Sequence, residues 1–327
     1  MPFLSNIPYI TADEVGAALP MPQAIEVMRA AFAALGQGRV IMPVRTGVRT
    51  PGGVSFFMPG YIADESAASG VGVGALAQKI VSVYPGNASR GLPVINALVT
   101  VLDAQTGAPR ALIEGTYLTA LRTGAVTGLA TDLLAAPDAK ELVIFGAGGQ
   151  AEMQVRAVCA VRPIERVRII SRSNSTQTLI DRLTPGDPFR IFEDARDKIE
   201  EAVRGADVIV TVTGSTEPLF DGAWVRDGAH VNAVGAYRPD MREVDAGLLN
   251  RAVVVVDQRE AALHEAGDLL IPAAQGEWSL DRIAAELADL VLGRVHVDRA
   301  HITLFKSCGL ALEDIAAAQA VLAKLGL

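Results

Sequence analysis

Apolar and polar residues follow two different periods along the first third of the chain. Residues 11–38 carry apolar side chains at three- and four-residue steps, which predicts a helix. From Val40 to about Ala111 the apolar runs are short, broken by Gly and Pro, and typical of strands. The strands predicted there are Val54 to Met58, Gly74 to Val83, Ala97 to Asp103 and Ala108 to Ile113. Helical spacing returns from Leu118 to Ala135 and predicts a connecting helix.

After Glu141, predicted strands and helices alternate. The strands are Leu142 to Phe145, Val167 to Ser171, Phe189 to Phe192, Val208 to Thr213, His230 to Val234 and Val253 to Asp257. The helices among them are Ala151 to Val161, Thr176 to Leu183 and Asp197 to Val203. This alternation is typical of a parallel, doubly wound sheet, which we expect to be complete at Asp257.

The last part of the chain is predicted to be mainly helical. We expect helices over Arg259 to Ala266 and Leu280 to Leu292, a short apolar run at Ile302 to Phe305, and a last helix over Leu312 to Leu325 that packs back on the first domain. The chain is therefore predicted to be an α/β protein with two domains. A Rossmann-type doubly wound parallel sheet occupies residues 119-304, and a smaller α+β domain comprises 1-118 with 305-327.

Composition argues against several classes of function. The net charge is -8 and the isoelectric point is near 5.1, so a nucleic-acid partner, which needs clustered Lys and Arg, is not expected. The longest apolar stretches are far shorter than the roughly 20 residues of a membrane-spanning helix, and the start does not resemble a signal peptide. We therefore expect a cytoplasmic protein without a membrane partner. Cys159 and Cys308 lack metal-ligand spacing with His, so we expect reduced thiols and no metal site.

A glycine-rich segment lies between the predicted strand at Leu142 and the helix that follows. It reads Gly146-Ala147-Gly148-Gly149-Gln150-Ala151, a Gly-x-Gly-x-x-Ala fingerprint. Gly146 permits the tight turn, Gly148 the approach of the backbone to a pyrophosphate, and Ala151 close packing of helix on strand. Because strand, motif and helix occur in the required order, we predict a dinucleotide site that includes Gly149 and Gln150.

The end of the next predicted strand indicates which dinucleotide binds. An acid there accepts the ribose 2′-hydroxyl of NAD, whereas Arg accommodates a 2′-phosphate. Here the chain reads Ile170-Ser171-Arg172-Ser173. Since two hydroxyls flank Arg172 and no acid is present, NADP(H) is favoured, and we assign Ser171, Arg172 and Ser173 to the cofactor site. NAD(H), with Arg172 merely solvated, is the alternative.

Three cations of the first domain stand in apolar or Gly-rich surroundings: Arg45, Lys79 and Arg122. An isolated charge is costly to bury, so each of them taken alone is expected to be exposed or paired in a salt bridge. Together they could form an anion pocket. The sequence alone does not establish that they converge.

Several motifs spread over nearly the whole chain resemble those of the ornithine cyclodeaminase and mu-crystallin family. They are Lys79-x-Val81-x-x-Tyr84-Pro85-x-Asn87-x-x-x-Gly91-Leu92-Pro93, Leu102-Asp103-x-x-Thr106-Gly107-x-Pro109, Leu118-Thr119-x-x-Arg122-Thr123-Gly124-Ala125, the nucleotide fingerprint, Asn232-Ala233-Val234-Gly235 and Phe305-Lys306-Ser307-x-Gly309. The combination is far more specific than any single motif.

This resemblance implies a homodimer whose first domain binds a small amino or imino acid and forms the subunit contact. It assigns Arg45, Lys79 and Arg122 to the substrate carboxylate, with Met58 beside them, and Lys79 could also donate or accept a proton. Tyr237 could lend a hydroxyl proton or simply cover the pocket. To the cofactor site we add residues at later strand ends: Thr213, Val234, Gly235 and Ser307.

Two departures from the family's pattern bear on the reaction. Cyclodeaminases are similar to one another in carrying a Glu where this chain has Phe56 and an Asp where it has Tyr237. Carboxylates suit the proton abstraction and amine positioning that cyclisation of ornithine requires, and Asp240 is a poor substitute because it falls in a predicted loop. We therefore expect NAD(P)H-dependent reduction of cyclic ketimine acids. Ornithine cyclodeamination, amino-acid dehydrogenation, hydroxyproline dehydration and non-catalytic binding of a nucleotide and a small acid are the alternatives.

Overall fold

The computed structural model describes residues 7–64, 74–172, 175–186 and 190–327. The chain divides into two compact units, Met1–Thr123 with Leu310–Leu327 and Gly124–Gly309. These bounds lie a few residues beyond the expected boundaries at 118 and 305. Ser173 and Phe189, both named in the sequence predictions, lie outside the described residues. In the described part of the chain, no helix combines the length and apolar character needed to cross a membrane.

The first unit contains a mixed sheet and helices that pack on it. The described strands are β1 (Tyr9–Ile10), β2 (Val40–Ile41), β3 (Thr46–Thr50), β4 (Gly53–Ile62), β5 (Ala75–Val83), β6 (Ile95–Asp103) and β7 (Pro109–Glu114). Their order is β1-β7-β6-β5-β4-β2, with β3 paired to β4. The helices are α1 (Ala12–Ala18), α2 (Met21–Gly36), the start of α3 (Gly115–Leu134) and α11 (Ala311–Leu325). Helix α11 packs on β4, β5 and β6 and also contacts α2.

Alternation along β5 separates two faces of this sheet. Ala77 and Lys79 are buried, whereas Gln78 and Ile80 are half-buried on the other face. The buried face meets α11: a side chain at Gly60 would lie only 2.7 Å from the Ile315 side chain of that helix. Lys79 is therefore placed between the sheet and α11, and the opposite face is less covered.

The second unit contains a parallel sheet. Its described strands are β8 (Glu141–Phe145), β9 (Arg166–Ile170), β10 (Ile191–Asp194), β11 (Val208–Thr211), β12 (His230–Ala233), β13 (Val253–Val256), β14 (Ile283–Glu286) and β15 (Thr303–Lys306). They follow the order β10-β9-β8-β11-β12-β15-β13-β14, and every described pair is parallel. The helices after α3 are α4 (Ala151–Val161), α5 (Ser175–Leu183), α6 (Ile199–Gly205), α7 (Ala246–Arg251), α8 (Arg259–Glu265), α9 (Gly267–Ala274) and α10 (Leu287–Val291).

Apolar residues fill both faces of this second sheet. One cluster includes Val143, Ile209 and Val231, and another includes Leu142, Ile144 and Val208. Neighbouring residues of one strand thus enter different clusters, as strand alternation requires. A parallel sheet covered on both faces explains why these strands read as continuous apolar runs. The predicted α/β class and doubly wound sheet are confirmed.

Three expectations about individual elements were wrong. The helix predicted over residues 11–38 is two helices. They are separated before Met21, because Pro20 is extended, lacks the backbone amide that a continuous helix needs and disfavours helical conformation in the residue before it. The stretch Leu280 to Leu292 contains a 3-10 turn, strand β14 and a short helix, because Ile283 and Ala285 are buried at a two-residue period against β13.

The third error concerns the point at which the sheet is complete. Strand β15 lies between β12 and β13, so the sheet closes only when the chain returns at Thr303–Lys306. Its four residues are all buried. A short apolar run that lies more than about forty residues after β12 and β13, the strands with which it pairs, carries no local signal of where it inserts.

Candidate functional site

The register of the parallel sheet places four strand ends side by side. Phe145 pairs with Thr211, Thr211 with Ala233, and Ala233 with Lys306. The chain leaves β8, β11, β12 and β15 directly after these residues. The residues predicted to bind the cofactor follow at this same edge: Gly146 to Ala151, Thr213, Val234, Gly235 and Ser307. The sheet thus gathers at one edge segments that are far apart in sequence.

Strand order also singles out one position along this edge. The chain runs outward from β8 to β9 and β10, then returns to the other side of β8 with β11. Ligands of open α/β sheets bind beyond the carboxyl ends of the strands at such a reversal. The Gly146 turn leaves β8 at the reversal, so it occupies the position expected for a dinucleotide site.

The backbone of the glycine-rich turn meets the demands of the fingerprint. Gly146 has a φ of 109°, which strongly favours glycine, and its amide donates to the Ile170 carbonyl at 2.8 Å. A Cβ atom at Gly148 would meet no protein atom within 4 Å. Protein packing therefore does not require glycine at 148, which fits the predicted approach of a pyrophosphate to the backbone at this position.

Two further residues lie where the turn passes into helix α4. Ala151 begins α4 and is fully buried, which lets the helix pack closely on the sheet. Gln150 precedes it, and its Oε1 atom is buried without a hydrogen-bond partner among the described residues. The N-terminus of α4 directs backbone amides and its positive dipole end toward this turn. The start of α4 therefore suits the pyrophosphate of a dinucleotide.

The residues predicted to distinguish NADP from NAD follow β9. Ser171 is half-buried and Arg172 is exposed directly after the strand that pairs with β8. Their position next to the glycine-rich turn is the one at which a ribose 2′ substituent is recognised. No carboxylate occupies either position. Their preference for one dinucleotide remains a prediction.

Glu243 joins the loops that follow β11 and β12. It is fully buried and accepts hydrogen bonds from the Thr213 amide at 2.6 Å and the Thr213 hydroxyl at 2.8 Å. It also accepts from the Thr211 hydroxyl at 2.9 Å and from the amides of Gly235 and Ala236 at 2.7 and 3.2 Å. The Thr213 hydroxyl is thus engaged within the protein. Glu243 fixes the two loops at the cofactor edge.

A buried lysine and a second carboxylate complete this network. Lys306 is fully buried, forms an ion pair with Asp268 at 3.0 Å and donates to the Ala233 carbonyl at 3.1 Å. Asp268 accepts from the backbone amide of Glu243 at 2.6 Å. Burial, followed by the charge of Asp268, raises the pKa of Glu243 above its ordinary value, against the attraction of Lys306. The positive charge of Lys306 therefore attracts both carboxylates, Asp268 and Glu243.

Ser307 has its own buried partner. Its hydroxyl donates to Asp257 at 3.2 Å, and the same carboxylate oxygen accepts from the amides of Cys308 and Gly309 at 2.6 and 3.0 Å. Asp257 therefore holds the turn that follows β15. The predicted cofactor residue Ser307 lies at the expected edge, with its side chain used to shape that turn.

Two of the predicted substrate residues meet in the first unit. Lys79 lies in the middle of β5, directly opposite Met58 on β4, and both are buried. Directly opposed residues of antiparallel strands share one face, so the side chains of Met58 and Lys79 are neighbours on the α11 side of the sheet. Lys79 is only 1% exposed. Its charge requires a buried partner.

Two buried acids, neither of them predicted from the sequence, pair with Lys79 and Arg122. Asp314 forms an ion pair with Lys79 at 2.7 Å and accepts from Arg122 Nε at 2.9 Å. Glu313 pairs with Arg122 Nη1. Both acids belong to the first turn of α11, where the helix dipole favours negative charge. Lys79 and Arg122 therefore converge, as a cluster of two cations and two carboxylates.

Burial and neighbouring charges shift the proton affinities of this cluster. Burial, then the positive charge of Arg122, lowers the pKa of Lys79 to about 8, although Asp314 acts in the opposite direction. Burial also opposes the charge of Arg122, but Asp314 and Glu313 outweigh it and raise the pKa of Arg122. Arg122 stays charged at any physiological pH, whereas Lys79 can hold or release a proton near neutrality.

Arg45 stacks on Phe56, a residue of β4. The Arg45 guanidinium lies over the Phe56 ring, 4.9 Å from its centroid. Phe56 and Met58 are two residues apart on β4, so their side chains lie on one face. An aromatic ring thus occupies the position where a cyclodeaminase was expected to carry Glu, and it orients a cation there.

Tyr237 and Asp240 lie in the loop that follows Gly235. Tyr237 is half-buried, and the Arg238 guanidinium lies 5.9 Å from its ring centroid. Asp240 is 69% exposed at its side chain and pairs with Arg238 at 3.0 Å. Asp240 is therefore held at the surface by its neighbour, as its loop position predicted. The role of Tyr237 in proton transfer or pocket shape stays a prediction.

The comparisons with known proteins agree with these features. The profile of the ornithine cyclodeaminase/mu-crystallin family matches residues 9–326. The mouse protein "Ketimine reductase mu-crystallin" is 38% identical over 320 residues, which cover 96% of this chain and 96% of the mouse protein.

Two solved structures are similar over the whole chain. The Thermococcus litoralis Delta(1)-pyrroline-2-carboxylate reductase, in complex with NADH and L-proline, has a TM-score of 0.90 and 36% identity, with 97% of each chain covered. An archaeal alanine dehydrogenase dimer with bound NAD has a TM-score of 0.86 and 30% identity, with 97% of this chain and 95% of that chain covered. This chain belongs to the ornithine cyclodeaminase/mu-crystallin family.

Proposed function

We propose that this protein is an NAD(P)H-dependent reductase of imine-type α-carboxylates, such as pyrroline- or piperideine-2-carboxylate. The observation that carries the proposal is the buried Lys79 beside Arg122, on a sheet face where Phe56 replaces an acid. The mouse ketimine reductase and the Thermococcus reductase support the same activity.

In this proposal the first unit binds and protonates the substrate. Arg45 and Arg122 hold the carboxylate. The planar Arg45 guanidinium matches two carboxylate oxygens, and Arg122, whose Nε and Nη1 pair with Asp314 and Glu313, contributes its remaining N–H groups. Lys79 faces the imine nitrogen. A pKa of about 8 lets its ammonium carry a proton at neutral pH and still give it up readily. Met58 and the Phe56 ring supply an apolar wall for the carbon ring of the substrate.

The second unit holds the cofactor. Gly146 to Ala151 would bind the pyrophosphate, and the loops fixed by Glu243 would position the nicotinamide end. When bound, the reduced nicotinamide supplies a hydride for the imine carbon. The imine nitrogen takes one proton from Lys79, which recovers it from solvent, so one imine becomes one cyclic amine. Protonating the nitrogen makes the carbon more electrophilic, and fixed positions supply most of the remaining acceleration.

We also propose that the protein prefers NADP(H). Ser171 and Arg172 follow β9 without an acid, which supports NADP(H) over NAD(H) because a 2′-phosphate would be attracted. The related structures bind NADH or NAD, so NAD(H) remains the alternative. The cytoplasmic location stays a prediction from the sequence.

We further propose a homodimer formed through the sheet face opposite Lys79. Phe57, Ile80 and Leu98 are directly paired neighbours on that face and are all half-buried. Such an apolar row is typical of a surface that another protein covers. The archaeal alanine dehydrogenase is described as a dimer, which supports a second copy of this chain as the partner.

An assay panel tests the function. Purified protein is incubated with NADPH or NADH and the five- and six-membered cyclic ketimine acids, and separately with L-ornithine and NAD. Cofactor oxidation with the ketimines alone supports the reductase. Ammonia and proline formed from ornithine would overturn it in favour of cyclodeamination, and tight cofactor binding without any turnover would indicate a binding protein.

A further inference from the structure

One carboxylate of the first unit contacts both substrate-binding cations. The Oδ2 atom of Asp314 lies 2.7 Å from Lys79 Nζ, and its Oδ1 atom lies 2.9 Å from Arg122 Nε. Glu313, the preceding residue, pairs with Arg122 Nη1. Asp314 is thus the shared partner of the two cations, and Glu313 provides a natural comparison.

Three different elements bring these groups together. Lys79 comes from β5, Arg122 from α3 and Asp314 from the first turn of α11. Asp314 is 1% exposed, so solvent does not weaken its interactions. The helix dipole of α11 stabilises a negative charge at this end of the helix. Asp314 therefore meets both cations inside the protein, out of contact with solvent.

The charged groups that act on Lys79 do so in opposite directions. Burial and Arg122 favour the neutral amine, whereas Asp314, followed by Glu313, favours the ammonium. Asp314 raises the pKa of Lys79 more than Glu313 does, and it is in direct contact with the ammonium group. Without it, Lys79 would face Arg122 in a desolvated site and lose its proton at a lower pH.

We propose that Asp314 is the positioning residue of the substrate site: its carboxylate sets the Lys79 ammonium and the Arg122 guanidinium side by side and keeps the transferable proton on Lys79. This inference rests on the proposed function. Asp314 does not itself exchange a proton with the substrate. The proton moves from Nζ to the imine nitrogen, and the resulting neutral amine takes another from water, a step that the adjacent carboxylate favours.

The ionisation of Lys79 can be measured without turnover. The lysines of the chain are Lys79, Lys140, Lys198, Lys306 and Lys324, few enough to resolve by NMR of protein labelled with ¹³C at lysine Cε. Lys79→Met assigns the Lys79 signal. We expect it to titrate near pH 8 in the wild type. In Asp314→Asn the midpoint should fall by about 1 to 3 pH units, the usual effect of losing an adjacent opposite charge.

Glu313→Gln is the matched comparison, because it removes an equally buried neighbouring acid that pairs with Arg122 and whose charge acts on the Lys79 ammonium less than that of Asp314 does. The Lys79 midpoint should fall clearly less in this variant than in Asp314→Asn. Equal shifts in the two variants, an unmoved midpoint in Asp314→Asn, or a wild-type midpoint at the ordinary value for lysine would each overturn the proposal. These readouts hold even if the ketimine assay fails, so the two failures are distinguishable.

Kinetics separate positioning from simple structural support. The alkaline limb of kcat/KM should lie near pH 8 in the wild type and move to lower pH in Asp314→Asn, because only the ammonium form of Lys79 donates. Asp314→Glu keeps the charge but moves the carboxylate, so its limb should stay in place while kcat falls on the order of tenfold to a hundredfold. If Asp314→Asn does not fold, an unchanged kcat in Asp314→Glu overturns the proposal.

Discussion

The Glu243 carboxylate accepts two hydrogen bonds from Thr213, one from the backbone amide at 2.6 Å and one from the hydroxyl at 2.8 Å. The loop after β11 therefore has a fixed conformation at the cofactor edge. Gly235 lies against the same two residues, since a Cβ there would overlap the Thr213 backbone and approach a Glu243 oxygen. The shape of this edge depends on a carboxylate that makes no contact with solvent.

The first prediction concerns Glu243→Gln. The amide keeps the shape but presents an NH2 group to donors, so we expect a loss of about 3 kcal/mol in the free energy of unfolding and weaker NAD(P)H binding. Urea denaturation and fluorescence titration measure the two effects. Glu277→Gln, at a 51% exposed side chain 3.9 Å from Arg242, should change the free energy of unfolding by less than about 1 kcal/mol. Similar values for the two variants would contradict the assigned role.

The second prediction separates folding from cofactor binding in the glycine-rich turn. Gly148→Ala should fold with an unchanged melting temperature and bind NAD(P)H at least about tenfold more weakly, because its methyl group meets no protein atom but blocks the pyrophosphate. Gly146→Ala should instead lower the melting temperature, since its φ is 109° and its Cβ would lie 2.7 Å from the Val212 carbonyl.

Gly149→Ala is the control within the same turn. A Cβ at Gly149 also meets no protein atom within 4 Å, but the fingerprint tolerates any residue at that position. Its affinity for NAD(P)H should therefore fall less than that of Gly148→Ala. Equal losses in the two variants would count against binding of the pyrophosphate at Gly148.

The third prediction addresses the choice of dinucleotide. Arg172→Asp places a carboxylate where the ribose 2′ position is recognised, so it should weaken NADPH binding more than NADH binding. The ratio of the two dissociation constants, measured by fluorescence titration, gives the answer. A parallel loss for both cofactors would refute the preference for NADP(H).

The fourth prediction tests the dimer. Ile80→Lys places a charge in the middle of the apolar row on the outer face of the first sheet, so we expect the mass measured by light scattering to fall from twice 34.3 kDa to 34.3 kDa. Leu263→Lys, at an exposed apolar residue of α8, should leave the mass unchanged. A wild-type protein that already behaves as a monomer would remove the basis for this interface.

Much of the nucleotide-binding unit was predictable because its signals are local. The strand at Leu142, the glycine-rich turn and the helix at Ala151 are consecutive in sequence, and each carries its own periodic or conformational signature. The same holds for the motifs that identified the family. What failed was non-local: β15 inserts between β12 and β13, and β14 gains its strand conformation only by pairing with β13.

The buried acids were missed for a related reason. Asp314 and Glu313 read as ordinary first-turn residues of the last helix, and Glu243 as one charge in a loop. A signal did exist, since a Lys and an Arg within apolar segments require buried counter-charges. The sequence does not say which of its many acids supply them, because that depends on how the last helix packs on the first sheet.

In the proposed reaction a hydride passes from the cofactor to the imine carbon of a cyclic ketimine acid. The most direct test supplies NADPH or NADH deuterated at the transferable position of C4 together with pyrroline-2-carboxylate, and determines the proline product by mass spectrometry and NMR. We predict one deuterium per molecule, located at the carbon that bears the carboxylate. Proline without deuterium would contradict the proposed reductase. So would a protein that forms no proline from pyrroline-2-carboxylate but does form it from L-ornithine.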